Sequence, residues 1–257
     1  MIIDAAGIIV FLLVLARVVG LFVIVPVFSD KTIPQLVKVT LAIWISILLW
    51  FVVPHPEVLP EKSIVIIYSF FNEFFIGFLI GFIVRLIFIG IQAGGAIMDM
   101  QMGLSVAAAF DPAIGAQTTI ISRTMFFLGT LVFMLTNSHH MMLFSFRESY
   151  RVIPLISNVQ YNGILVQIAS LGSGLFRTAL SFALPIMVII FLLDFSLGLL
   201  ARLAPQVNVF FLGFQIKPML GLFLFMLLVP TLVVKLHVLF NTIGVELMKL
   251  YTNVRIL

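Results

Sequence analysis

Residues 64–91 read IVIIYSFFNEFFIGFLIGFIVRLIFIGI, a run in which Glu73 and Arg85 are the only charged side chains. A helix needs about 20 consecutive, mainly apolar residues to cross the hydrocarbon core of a bilayer. The run has no strict alternation of apolar and polar residues, so it is not typical of a half-buried strand. It therefore predicts a long helix of a membrane protein.

Further long apolar runs lie on both sides of this one. They cover residues 2–25, 36–53, 120–143, 164–203 and 207–239. The run 164–203 is long enough for a helical hairpin or for one helix bent at Pro185. Residues 145–163 are the most polar stretch, and we expect an exposed connection there. The pattern predicts about six to eight helices and no strands, which is an all-α fold in a single unit spanning residues 1–257.

The composition excludes most other classes of protein. Of the 257 residues, 63% are hydrophobic and 9% are charged, whereas soluble domains have about 45–50% apolar and about 25% charged residues. Lys and Arg are scattered singly, which argues against a nucleic-acid surface and favours contact with membrane lipid. Cysteine is absent, so thiolate chemistry is excluded. No catalytic, metal-binding or cofactor-binding motif occurs, and we predict neither an enzyme nor a cofactor.

Charged side chains interrupt the apolar runs repeatedly. They are Arg17, Glu73, Arg85, Asp99, Arg123, Arg177, Asp194, Arg202 and Lys217. Each costs about 2.5–3.5 kcal/mol at the centre of a membrane-spanning helix. Glu73 is far from Arg85 in sequence, and Asp194 is far from Arg202, so neither pair has the i,i+3 or i,i+4 spacing needed for contact along one helix.

The partners of these charges must therefore come from other helices or other subunits. We predict a role in subunit assembly for Arg17, Glu73, Arg85, Asp194, Arg202 and Lys217. An alternative applies to Arg123, Arg202 and Lys217, whose long side chains can reach the polar interface from a helix end. That alternative does not explain Glu73 or Asp194, which have apolar residues on both sides.

Glycine and methionine residues mark two more features. Two Gly-x-x-x-Gly pairs favour close approach of helix backbones; they consist of Gly77, Gly81, Gly90 and Gly94. Met98, Met100 and Met102 lie in a stretch rich in Gly and Ala. Their flexible thioether side chains either form a deformable seal or fill ordinary helix contacts.

The most specific stretch of the sequence is residues 194–217, DFSLGLLARLAPQVNVFFLGFQIK. Other distinctive positions are Arg17, Gly20, Pro26, Glu73, Gly77, Gly81, Gln101, Gly103, Phe110, Asp111, Pro112 and Gly115. Taken together, these residues resemble the FliR family of type III secretion export-gate proteins, to which the injectisome SctT proteins are related. The resemblance runs essentially from end to end.

The resemblance implies a structural component of an export gate in the bacterial inner membrane, at the flagellar basal body. In this family one FliR-like subunit completes a ring with FliP-like subunits, and FliQ-like subunits wrap outside. The ring forms a closed channel for unfolded protein substrates and associates with FlhB-like and FlhA-like proteins. The implied fold consists of bent, membrane-associated helical hairpins that pack into a multi-subunit helical assembly.

The resemblance also implies a plug in the pore, for which residues 103–117 are the candidate by position. The predicted gate residues are Met98, Met100, Met102, Gly103, Phe110, Asp111, Pro112 and Gly115. The motifs leave flagellar and injectisome systems open, and we favour the flagellar one. The alternative function is a secondary transporter or permease subunit, whose intramembrane charges bind a small solute or protons.

Overall fold

The computed structural model describes residues 5–29, 33–56, 60, 62–105, 119–253 and 255–256. The described helices are α1 (Ala5–Ile24), α2 (Pro26–Ser29), α3 (Gln35–Trp50), α4 (Ser63–Met102), α5 (Ile120–Leu135), α6 (Ser138–Val152), α7 (Asn162–Leu203), α8 (Val209–Asn241) and α9 (Ile243–Asn253). Two strands of two residues each, β1 (Val159–Gln160) and β2 (Arg255–Ile256), pair in antiparallel orientation. The predicted all-α fold is confirmed, since helices dominate the described residues.

Four described helical segments are long and apolar enough to cross a membrane. They are Ala6–Ile24, Ser63–Met102, Val166–Leu203 and Val209–Asn253. α5 and α6 meet the same criterion together, but the chain bends by 70° between them. At this bend Asn137 has a φ angle of 56°, in the left-handed region. The described residues therefore contain four candidate membrane spans, or five if the bent pair counts as one.

One helix is longer than the sequence predicts, and two others continue through prolines. α4 continues past residue 91 to Met102, so the Gly- and Ala-rich stretch begins as helix. α7 is one helix with Pro185 inside it, and α8 contains both Pro218 and Pro230. Membrane helices tolerate such prolines because neighbouring groups and local adjustments satisfy the freed carbonyls.

The prediction of an exposed connection over residues 145–163 is wrong for its first half, which belongs to α6. Met142, Phe146 and Tyr150 are buried, whereas Arg147 between them is exposed. These apolar residues are four apart and share one face of the helix. The charged residues on the opposite face lower the average hydropathy and conceal this face.

Contacts divide the chain into two compact units. Unit 1 comprises Met1–Leu86, Asn137–Gly172 and Phe240–Leu257, and unit 2 comprises Ile87–Thr136 and Ser173–Leu239. Each unit combines segments that are distant in sequence. The helices α4, α7 and α8 each contribute residues to both units. The single unit expected over residues 1–257 stays a prediction.

In unit 1, glycines allow α1 and α4 to pack closely. A Cβ atom added at Gly20 would overlap the backbone of α4, and one added at Gly77 would overlap the carbonyl oxygen of Arg17. Gly81 continues this contact, since its added Cβ would lie 2.5 Å from Cγ2 of Ile24. A larger side chain at these positions would push the two backbones apart.

Hydrogen bonds hold α9 in unit 1. The hydroxyl of Tyr251 donates to the carbonyl oxygen of Ser145 over 2.6 Å. Gln167 Nε2 donates to the carbonyl oxygen of Glu246 over 2.8 Å, and Asn253 Nδ2 donates to Gln167 Oε1 over 3.1 Å. These bonds connect α9 to both α6 and the first turns of α7.

The loop between α6 and α7 is tied to the start of α4. The Tyr161 hydroxyl donates to Asn72 Oδ1, and Asn72 Nδ2 donates to the carbonyl oxygen of Ser157 over 3.1 Å. Burial raises the pKa of Tyr161 to about 12, and the nearby Tyr68 and Glu73 add to the rise. The hydroxyl is the donor in its bond to Asn72, which connects the loop to α4.

In unit 2, the second half of α4 packs against α5 and α7. The ring of Phe88 lies 5.8 Å from that of Phe126 and 5.7 Å from that of Phe133, in edge-to-face arrangements. Gly90 and Gly94 face α7, where an added Cβ would lie 3.3 Å and 3.1 Å from the nearest atoms. Here the space for a side chain is tight, but less so than at Gly77.

Candidate functional site

Arg17 on α1 and Glu73 on α4 form a buried ion pair. Arg17 Nε lies 2.5 Å from Glu73 Oε2, and both side chains are 0% exposed. Gly77, one turn after Glu73, allows α4 to come close enough to α1 for this contact. Because an isolated charge in an apolar interior is costly, each residue compensates the other.

Further groups surround the guanidinium. Arg17 Nη1 donates to Ser149 Oγ over 3.1 Å, and Nη2 donates to the carbonyl oxygen of Ile153 over 3.0 Å. The guanidinium carbon also lies 4.1 Å from the centre of the Tyr150 ring, which adds a cation–π interaction. These four residues and Glu73 form the Arg17 cluster. The cluster connects α1, α4 and the C-terminal end of α6 within unit 1.

The sequence assigned Arg17 and Glu73 to contacts with partner subunits or other helices, and the structure pairs them within the chain. A partner subunit is therefore not needed to neutralise either charge. The sequence does not place Ser149 and Tyr150 in this cluster, because both lie in the stretch expected to be exposed. The four-residue spacing of Met142, Phe146 and Tyr150 is the signal that could have placed them on a buried helix face.

Asp99 on α4 caps the N-terminus of α5. Its Oδ2 atom accepts hydrogen bonds from the backbone N–H groups of Ile121 over 2.9 Å and Ser122 over 3.0 Å, and Asp99 is 0% exposed. Ser122 Oγ donates to the carbonyl oxygen of Gln92 over 2.9 Å. The carboxylate thus satisfies amides that have no partner inside their own helix, where the helix dipole also favours negative charge. These contacts, the Asp99 cap, compensate the buried carboxylate with backbone N–H groups. No sequence motif indicated them.

The three methionines of the predicted gate lie on the last turns of α4. Met98 and Met102 are fully buried, whereas Met100 is 71% exposed. Met102 occupies a notch at Gly221 on α8, because an added Cβ at Gly221 would overlap its side chain. Gly103, which follows the helix, has a φ angle of 76°. The predicted gate residues Phe110, Asp111, Pro112 and Gly115 lie outside the described residues.

Lys217 on α8 and Asp194 on α7 form a second ion pair between helices, in unit 2. Lys217 Nζ lies 2.6 Å from Asp194 Oδ1, and the two side chains are 28% and 44% exposed. Both residues line a cavity of about 540 Å³ (the 194–217 cavity). Its other walls include Met102, Gly103, Leu197, Gly198, Phe210 and Phe214. A polar pair thus lies in an otherwise apolar cavity.

The remaining predicted assembly residues are not brought into these clusters. Arg85 is half-buried and Arg202 is exposed, and neither takes part in the ion pairs formed among the described residues. Arg123 lies over the ring of Phe127 at 5.6 Å. In the part of the chain that the structure describes, no group of three His, Asp or Glu residues could hold a metal ion.

Long apolar helices, with charges paired or capped between them, define a multi-pass helical membrane protein. Residues 8–243 match the family described as bacterial export proteins, family 1. The chain belongs to this family, and the resemblance to the FliR family stated from the sequence is confirmed. The predicted multi-pass location in the bacterial inner membrane agrees with this membership and with the long apolar helices.

Curated relatives cover most of the chain. The flagellar biosynthetic protein FliR of Escherichia coli (strain K12) is 29% identical over 216 residues, which are 84% of this chain and 82% of that protein. The flagellar biosynthetic protein FliR of Buchnera aphidicola subsp. Acyrthosiphon pisum is 30% identical over 222 residues, 84% of this chain and 83% of that protein. The surface presentation of antigens protein SpaR of Shigella flexneri is 30% identical over 156 residues, 60% of this chain and 59% of that protein.

Proposed function

We propose that this chain is a structural, pore-forming subunit of the flagellar type III export gate, and not an enzyme. It would complete a ring with FliP-like and FliQ-like subunits and associate with FlhB-like and FlhA-like proteins. Unfolded export substrates would cross the membrane through the channel of this ring. Family membership supports an export role, and the flagellar relatives match over a larger share of the chain than the SpaR relative does.

The observation that carries this proposal is the uncovered apolar surface of α7 and α8. In the most apolar part of each candidate span, the share of residues that the chain itself buries differs widely. It is 17% in Val166–Leu203 and 22% in Val209–Asn253, but 67% in Ser63–Met102. Phe176 on α7 and Phe210 on α8 are 81% and 82% exposed. Stable subunit interfaces bury about 1,200 Å² or more in total, and two long apolar helices can supply such an area.

Purification from a co-expressing strain tests the assembly. The full chain, expressed with FliP-like and FliQ-like proteins of the same organism, should leave the membrane in mild detergent as a complex of fixed composition. Expression without those proteins is the control and should give a lower yield of the extracted chain. Recovery of the chain alone as a stable single species, even when the other proteins are present, would refute the proposal.

A closed channel needs a gate, and we retain residues 103–117 as its candidate. Two contacts support this choice by fixing both sides of the segment within unit 2. Met102 is held at Gly221 just before it, and the Asp99 cap holds Ile121 and Ser122 just after it.

Ion leakage tests the gate. Deletion of residues 103–117, or replacement of residues 106–117 by a Gly-Ser linker of equal length, should raise ion leakage through the assembled complex. The linker variant keeps the length of the connection, so it separates loss of the segment itself from shortening of the chain. Both variants should give the same yield of complex as the unmodified chain. Unchanged leakage in a complex of normal yield would place the gate elsewhere.

The 194–217 cavity favours one alternative function, a secondary transporter or permease subunit for a small solute. Its volume and its Lys217–Asp194 pair fit a small polar solute. Solute or proton flux by the purified chain alone in vesicles would support this alternative. Loss of that flux in a Lys217→Gln variant would assign it to the cavity, and absence of flux in the unmodified chain would exclude it.

A further inference from the structure

Lys235 is a cation in an apolar stretch of α8 that the proposed function does not use. It is half-buried, and Val234 and Val238 beside it are 62% and 60% exposed. Lys235 Nζ donates to the backbone carbonyl oxygen of Ser181 on α7 over 2.7 Å. A charged side chain within a membrane-spanning segment is costly and usually has a partner. Here the partner is a main-chain group of the neighbouring helix in unit 2.

The carbonyl of Ser181 is the one that Pro185 leaves without its usual donor. In an α-helix each N–H group bonds to the carbonyl oxygen four residues earlier. Pro185 lies inside α7, four residues after Ser181, and proline has no N–H group. The ammonium group of Lys235 therefore replaces the missing donor. Hydrogen bonds from charged donors are stronger than those between neutral groups, so the replacement is a favourable one.

Two lysines of α8 contact α7 on opposite sides of Pro185. Lys235 bonds to Ser181 before the proline, and Lys217 forms its ion pair with Asp194 after it. About 20 Å of helix separates the two contact points on α7, at 1.5 Å rise per residue. Sharp bends in helices occur mainly at prolines. Contacts with α8 on both sides of Pro185 therefore restrict bending of α7 at the position where it bends most readily.

We propose that Pro185 is a hinge of α7 and that Lys235 is the latch that holds this hinge. While Lys235 bonds to Ser181, the freed carbonyl has a donor, and the two arms of α7 keep one orientation. When the lysine withdraws, the carbonyl loses this donor and the arms can bend. The arm after Pro185 carries Asp194, which lines the 194–217 cavity, so bending would change the shape of that cavity. The hinge is a property of α7 itself, and its test does not depend on the proposed export function.

A distance between two spin labels on α7 measures the hinge. The chain has no cysteine, so Phe176→Cys with Leu199→Cys places labels only at two exposed positions, one on each side of Pro185. These positions would lie about 35 Å apart in a straight helix. Electron–electron double resonance of the labelled full chain in mild detergent gives the distribution of this distance. With Lys235 unchanged, the distribution should be narrow and have one maximum.

Variants of Lys235 test the latch. Lys235→Met should raise the population of other distances about tenfold, as expected when a hydrogen bond with a charged donor is lost. Lys235→Arg keeps a charged donor and should retain the narrow distribution. Lys249→Met, which removes an exposed cation of α9, is the control and should leave the distribution unchanged. An unchanged distribution in Lys235→Met would overturn the proposal.

The combination with Pro185→Ala distinguishes a latch from an incidental surface contact. Alanine restores the N–H group that bonds to the carbonyl of Ser181, so the lysine is no longer needed. Lys235→Met together with Pro185→Ala should therefore give a distribution as narrow as that of the labelled chain without these changes. If Lys235→Met alone lowers the yield of folded chain, Pro185→Ala should restore it. Equal broadening, or an equal loss of yield, with and without Pro185→Ala would overturn the proposal.

Discussion

Two ion pairs of similar length, 2.5 Å for Arg17 with Glu73 and 2.6 Å for Lys217 with Asp194, connect different helices in unit 1 and in unit 2. In the first pair both side chains are 0% exposed, and in the second they are 28% and 44% exposed. Arg17 also has three further contacts, with Ser149, Tyr150 and Ile153. The two pairs therefore differ in their surroundings and not in their N–O distances.

This difference indicates different roles. A buried pair stabilises poorly in comparison with apolar packing, but removing one partner leaves a buried charge and is strongly destabilising. An exposed pair contributes little to stability in either case. We therefore expect the Arg17 cluster to fix the helix arrangement of unit 1. The Lys217–Asp194 pair, in contrast, remains available to a ligand or a partner subunit.

The largest effect is expected for Glu73→Leu. This variant leaves Arg17 charged and buried, which should lower the free energy of unfolding by about 3–5 kcal/mol. Denaturant titration of the chain in mixed micelles measures the loss. The double variant Arg17→Met with Glu73→Leu removes both charges and should recover part of the stability. A double variant less stable than the single one would show that the charge is not the cause.

The next effect concerns the glycine that allows the buried pair to form. Gly77→Ala places a Cβ against the carbonyl oxygen of Arg17, where only movement of the backbone can relieve the overlap. We expect a loss of about 1–3 kcal/mol, typical of overpacking. Gly174→Ala on α7 is the matched control, because an added Cβ there would have no atom within 4 Å apart from the backbone of its own helix. It should be neutral or slightly stabilising, since Ala favours the helix, and equal losses in both variants would contradict close packing at Gly77.

The sequence predicted the helical class because apolar runs of this length have few other folds available. It also identified the intramembrane charges, since a single charged side chain is conspicuous in such a run. It could not pair Arg17 with Glu73, because that contact depends on how α1 crosses α4. Nor could it predict that Asp99 binds backbone amides of α5, because this partner has no side-chain signature.

The prediction of an exposed connection over residues 145–163 is wrong for a different reason. The expectation of an exposed connection rests on average hydropathy, which is low because Arg147, Glu148 and Arg151 occupy the outer face of α6. The apolar face with Phe146 and Tyr150 is visible only by helical spacing. All three further contacts of Arg17, with Ser149, Tyr150 and Ile153, come from this stretch, so its prediction as an exposed connection concealed part of the site.

The third effect concerns helix caps, of which Asp99 is buried and Asn208 is exposed. Asp99→Ala removes a buried carboxylate from two amides of α5 and should cost about 1–2 kcal/mol of stability. Asn208→Ala is the exposed counterpart, because Asn208 Oδ1 accepts a hydrogen bond from the N–H of Phe211 over 3.1 Å at the start of α8. Its loss should be about 0.5–1 kcal/mol. Denaturant titration ranks the two variants, and a larger loss for Asn208→Ala would contradict the role given to burial.

The smallest effect on stability is expected for Lys217→Gln. Because both partners are partly exposed, loss of this ion pair should change the free energy of unfolding by about 0–1 kcal/mol. Lys249→Gln is the control, since Lys249 forms an exposed pair of 2.7 Å with Glu246, and its effect on stability should be as small. If Lys217 contacts a partner subunit, Lys217→Gln should lower the yield of the complex while the chain itself stays folded. Lys249→Gln should leave that yield unchanged. A loss of several kcal/mol in the isolated chain would instead make this pair a structural element like Arg17 with Glu73, and the contrast between the two units would disappear.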